Sequence, residues 1–173
     1  MFRINLDSFH LLSSLQMKGS VALLPMLLIS CGTEVRREEV AKFVLPDLPR
    51  VIAEEVRFPA ANRKSVHAVE KELLGLNYLG GGNLAEYDTG KAKYKLFLIR
   101  CRTAAQAGSY IFEIKKQMQE AKFVASYGGF FAANTSAGPL FVFAKGNYIG
   151  GIAGLSEEDA IQTGTAFAAR IPY

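Results

Sequence analysis

Two periods organise the apolar positions of this chain. The segment "KYKLFLIRCR", 93–102, is the clearest strand. Its centre, Leu96-Phe97-Leu98-Ile99, is apolar on both faces, which places it inside a sheet. The period then changes. Thr103-Ala104-Ala105-Gln106 is a capping box. Ala107, Tyr110, Ile111, Ile114, Met118 and Ala121 recur at helical spacing behind it, while Glu113, Lys115, Lys116, Gln119 and Glu120 lie elsewhere on the surface. The pattern predicts a helix over about 103–122. Strand chemistry returns at "LFVFA", 140–144, and "NYIGGIA", 147–153, which flank Lys145-Gly146 and read as a hairpin. Ser156-Glu157-Glu158-Asp159 is a second capping box, with three acids where a helix N-terminus favours them. The helix it opens runs to about Arg170, with Ala160, Ile161, Gly164, Phe167, Ala168 and Ile171 on its apolar face.

The earlier part of the chain is less regular. Pro46-Asp47-Leu48-Pro49 stops any helix entering from the N-terminal side. "SVHAVEKELLGL", 65–76, has apolar residues at 66, 69, 73, 74 and 76, which predicts a short amphipathic helix with Gly75 near its end. Gly80-Gly81-Gly82-Asn83 reads as a turn, "NLAEY", 83–87, as a strand, and Asp88-Thr89-Gly90 as a hairpin turn. The resulting order is a helix, then strand-strand-helix-strand-strand-helix. It predicts an α+β fold: an antiparallel sheet with helices packed on one face, in a single domain over 46–173.

A different pattern precedes that domain. Residues 20–30 are uncharged and mostly apolar, a run too short to span a bilayer and interrupted by Pro25. Its length suits a signal-peptide core, with Lys18 before it and Ser30 at its end. Leu28-Ile29-Ser30-Cys31 resembles the bacterial lipobox, an aliphatic residue, a permissive one, a small one and a cysteine. The resemblance implies that Cys31 receives a diacylglycerol and becomes the first residue of the mature protein. Residues 1–30 are then the signal peptide and 31–45 a lipidated tether. Two or three acyl chains, palmitate among them, make such an attachment effectively permanent. Gly32, where an Asp would retain a lipoprotein at the inner membrane, favours the outer one. "MKGSVALLPMLLISC" is an ordinary lipoprotein signal by itself, so translation from Met17 would leave residues 1–16 unused. In the plainer reading the segment is an N-terminal helix on the core, Cys31 is a buried thiol, and the domain is soluble and cytosolic.

Composition narrows the classes. Half of the 173 residues are hydrophobic, with twelve Phe and seven Tyr, enough for a core without staples. Two cysteines make no disulfide framework. A net charge of +4, with acids and bases interleaved as in "EIKKQMQEAK", argues against nucleic acid as a partner.

Little of the chain reads as catalytic, and no cofactor or metal is assigned. Gly80-Gly81-Gly82 lacks the Lys-Ser/Thr of a phosphate loop, and "GNYIGGIAG" lacks dinucleotide spacing. Beyond position 31, Cys101 and His67 are the only thiol and imidazole, and an enzyme of cysteine type would pair them. Cys101 shares a strand face with Phe97 and Ile99, which favours a buried, inert thiol. His67 with Glu70 offers two metal ligands on one helix face, but zinc needs three or four. Glu86 and Asp88, two apart, could pair for acid–base work, but they flank a turn, where acids are simply soluble. Tyr127, Phe130, Phe131, Phe141, Phe143 and Tyr148 would make an apolar groove if several lined one open sheet face.

Residues 84–171 resemble a family of exported bacterial proteins known as a domain of unknown function. The resemblance is carried by "NLAEYDTG", by "KYKLFLIRCRTAAQA" running from strand into helix, and by "LFVFAKGNYIGGI". "LPDLP", 45–49, is similar to the opening of such domains. It implies an exported α+β domain and brings no catalytic residues. The expectation is an envelope lipoprotein anchored to the membrane through Cys31, binding a protein or an apolar ligand, with an envelope enzyme built on Cys101 and His67 or on an acidic site as the alternative.

Overall fold

The computed structural model describes residues 43–173, all within one compact unit. The leader, Cys31 and most of the expected tether lie outside the described residues. The elements in order are a 3-10 turn (Glu55–Arg57), β1 (Arg63–Lys71), a second 3-10 turn (Leu73–Gly75), β2 (Gly80–Asp88), β3 (Lys93–Arg100), α1 (Ala104–Gln117), β4 (Lys122–Val124), β5 (Gly129–Thr135), β6 (Gly138–Lys145), β7 (Tyr148–Ala153) and α2 (Glu157–Ala168). The strands form one seven-stranded sheet in the order β1-β2-β3-β7-β6-β5-β4, and every neighbouring pair is antiparallel. The α+β class and the antiparallel sheet are as expected.

The helices sit on the sheet differently from the expectation of one helical face. Alternate residues of a strand point to opposite faces, and both faces here are apolar. Leu84, Phe97, Ile99, Leu140, Val142 and Ile149 meet α1 through Ala107, Tyr110, Ile111 and Ile114. Ala85, Leu96, Leu98, Phe141, Phe143 and Ile152 meet α2 through Ala160 and Phe167. Each helix therefore covers its own face. The doubly apolar centres of β3 and β6 require this, because one helical layer would leave the other face in water.

Both helices start where their caps predict. The Thr103 hydroxyl accepts from the Gln106 amide at 3.1 Å, and the Ser156 hydroxyl accepts from that of Asp159 at 3.3 Å. The expected helix at 65–76 is instead the edge strand β1 followed by a 3-10 turn. The triple glycine is not a turn but the start of β2. A Cβ on Gly81 would strike the Glu70 carbonyl of β1 and Val51, and one on Gly80 would strike Leu48. Bare backbone there lets an extended strap, residues 43–54, cross the end of the sheet from the α1 face to the α2 face.

That strap is pinned along its length. Asp47 pairs with Arg102 at 2.8 Å, and its carbonyl accepts from Gln106. Leu48 joins the α1-side core. Asn83, buried in β2, accepts from the Glu54 amide at 3.1 Å and donates to the Ile52 carbonyl at 2.8 Å. The buried Glu54 carboxylate accepts from the Tyr148 hydroxyl at 3.0 Å. A buried carboxylate is tolerated only with such partners.

Candidate functional site

Among the groups singled out in the sequence, Cys101 and His67 are kept apart. Cys101 is buried at 1% exposure on the α1 face, and burial pushes its thiol up to about 11, away from the thiolate that attack requires. His67 is exposed on β1, in register with Leu84 and, through it, Phe97. Cys101 lies four residues beyond Phe97, so the two are separated by about 13 Å along the strands and about 10 Å across them. His67 and Glu70 are three apart on a strand and so face opposite sides of the sheet, not one side of a helix. Among the described residues, no group of three His, Cys, Asp or Glu side chains is placed to hold a metal ion. The aromatics of 127–148 do not line an open face. Phe130, Phe131, Phe141, Phe143 and Tyr148 are buried, and Tyr127 packs edge-on against Phe141 and Phe143.

A concavity lies instead on the α1 face, at the end of the sheet that α1 does not reach. It is an open trough of about 510 Å³. Its floor is one transverse row, Glu86 of β2, Lys95 of β3 and Ala153 of β7, set side by side by strand register. The next row toward the β2–β3 turn is Asp88 opposite Lys93. Lys64 enters from the irregularity in β1 between Arg63 and Ser65. The walls are Leu74 on one side and Ala137, in the β5–β6 turn, on the other.

Two features of the trough stand out. The first is the commitment of its charges. Lys95 bonds Glu86 at 3.0 Å, and that ammonium, aided by the Ser65 hydroxyl and the His67 side chain, holds the Glu86 carboxyl below its usual value. Asp88 accepts from the Gly90 amide at 2.9 Å within the turn. Lys64 and Lys93 have no ion-pair partner among the described residues, so the site holds surplus positive charge. The second is its wall. Glu72 and Leu74 both adopt left-handed backbone, φ 55° and 59°, ahead of Gly75 at 73°. That conformation costs roughly 1 kcal/mol or more for each non-glycine residue. It holds Leu74 half-buried at the trough's edge.

The sequence offers Glu86 and Asp88 either as an acid–base pair or as plain solvated acids beside a turn. The structure places both on one face of β2 and opposes them with lysines of β3. A turn at Asp88–Gly90 would pair Glu86 with Ala92; the observed register follows from a longer loop, residues 89–92, which the sequence pattern does not show. Lys64, Leu74 and Ala137 come from separate loops and carried no signal either. Comparison with protein-family models, with curated proteins and with solved structures finds no match for this chain.

Proposed function

We propose that this chain is a cell-envelope lipoprotein, tethered through Cys31, whose domain is a non-catalytic binding module of the exported family it resembles. Its ligand is a small amphipathic anion held in the trough. The observation that carries the binding reading is the combination found there: apolar contact from Leu74, Ala137 and Ala153 beside the uncommitted ammonium groups of Lys64 and Lys93. The volume falls in the range of small-molecule sites, about 300–1,000 Å³. The separation of Cys101 from His67 weighs against a thiol enzyme. The Leu28–Cys31 motif supports the anchor, and no helix among the described residues is long and apolar enough to cross a membrane.

Two measurements test the reading. The intact mass of protein from a membrane fraction should equal residues 31–173 plus acyl chains, and Cys31→Ala should abolish that form. A full-length chain of unmodified mass in the soluble fraction refutes the anchor. For the trough, octanoate titrated into the protein should shift NMR signals of Lys93, Lys95 and Ala153, and octanol should shift them far less. A Lys64→Ala/Lys93→Ala double variant should lose the preference for the anion. Equal response to both probes refutes an anion site.

A further inference from the structure

Seven large hydrophobic side chains are exposed among the described residues, and four of them fall between positions 44 and 56: Val44, Leu45, Ile52 and Val56. Val44 and Val56 are 77% and 79% exposed. They lie along the outer side of the strap and its 3-10 turn, while Phe43, Leu48 and Phe58 of the same segment point into the two cores. Exposed aliphatics singly need no explanation, but a run of them on one segment does.

The charges beside them are mostly arginine. Arg50 is exposed on the strap, Arg100 lines a small recess with Pro49 and Ile52, and Arg170 donates to the Val56 carbonyl at 3.4 Å. None of these three has an ion-pair partner among the described residues. The acids of the strap are all engaged: Asp47 with Arg102, Glu54 with Arg57 and Tyr148, Glu55 with Arg63. The strap thus carries exposed aliphatics beside unpaired arginines, with Glu70 and Lys71 of β1 sharing the recess that holds Leu45 and Arg50.

We infer that the outer side of the strap is a docking surface for an anionic phospholipid bilayer. Aliphatic side chains enter the interface while arginines meet lipid phosphates. The inference rests on the lipid-anchor reading. An anchor at Cys31 leaves eleven residues, 32–42, before Phe43, a reach of at most about 40 Å. The strap is also the first part of the domain that the chain enters, so a tethered domain presents it toward the membrane.

The chain contains no Trp, so Val56→Trp supplies a single reporter. The acylated full protein would be reconstituted into vesicles of phosphatidylethanolamine with phosphatidylglycerol, with brominated acyl chains as quencher. Val56→Trp should shift to the blue and be quenched. Phe123→Trp, exposed on the β4 edge, should do neither. Replacing phosphatidylglycerol with a neutral lipid should lower docking about fivefold for each arginine engaged. Adding Ile52→Asp should lower it about tenfold, with an unchanged circular-dichroism melt showing that the fold is intact. Vesicle-bound protein whose Val56→Trp behaves like Phe123→Trp overturns the docking and leaves the anchor standing. That is also the result expected if the strap faces an acidic protein. Protein that carries no acyl chain by intact mass overturns the anchor and the docking together.

Discussion

Removing one oxygen atom, in Tyr110→Phe, should cost this domain a large part of its stability. Tyr110 sits in α1, almost fully buried, with its ring in the α1-side core. Its hydroxyl donates to the Tyr78 carbonyl at 2.9 Å and accepts from the Gly80 amide at 2.8 Å. It therefore bridges α1 and the segment that leads into β2. Phenylalanine keeps the packing but strands two buried backbone groups. Each such group costs about 1–3 kcal/mol, so the loss should be about 3 kcal/mol. Domains of ordinary stability hold about 5–15 kcal/mol in all. In urea, with a slope of about 2 kcal/mol/M, the midpoint should fall by about 1.5 M at unchanged slope. Amide exchange at Gly80 should accelerate in the same variant. A drop below about 0.5 kcal/mol would refute the reasoning, because it would mean that water satisfies both groups.

Alkali should destabilise the fold. Burial raises Cys101 from 9.0 to about 11 and Tyr87 from 10.0 to about 12, and raises Tyr110 further. Each of these groups is held protonated in the folded state, so the unfolded chain loses its proton first as pH rises. Their contribution is complete below about 9 and falls away through about 12, and Cys101→Ala should delay the onset in denaturant melts. Lys95→Ala should move the Glu86 carboxyl back up toward its ordinary value, read by carboxyl NMR. Its effect on stability should be slight, since the pair is exposed. Gly151→Ala should destabilise by about 1–3 kcal/mol, because the added methyl meets the Phe97 ring lying across that glycine. A neutral result in thermal melts would show that the ring has room to move.

The best-read elements in the sequence were those whose pattern is imposed from both sides. β3 and β6 are apolar on both faces because helices lie on both, and α1 and α2 carry a cap and an apolar stripe apiece. β1 was misread as a helix because it is an edge strand, half-exposed on each face, so Ser65, His67 and Val69 share one side with no clean alternation. Its apolar spacing at 66, 69 and 73 then mimics a helical period. The glycines of β2 read as a turn because a local pattern cannot show that another segment will press against them; Leu48 and Val51 do so from more than 25 residues away in sequence. The side of the sheet each helix takes is likewise set by how the chain crosses over, which no periodicity encodes. Of the trough, Glu86 and Asp88 were legible as neighbours on one strand, while the lysines that face them were not.

The strand order carries a consequence for synthesis. Of the seven described strands β7 is made last, yet it occupies the middle of the sheet, joining β3 to β6. A chain that stops short of Tyr148 holds two meanders, each with a raw inner edge, joined only through α1. The native sheet closes only when β7 arrives, so the chain stays open and threadable until then.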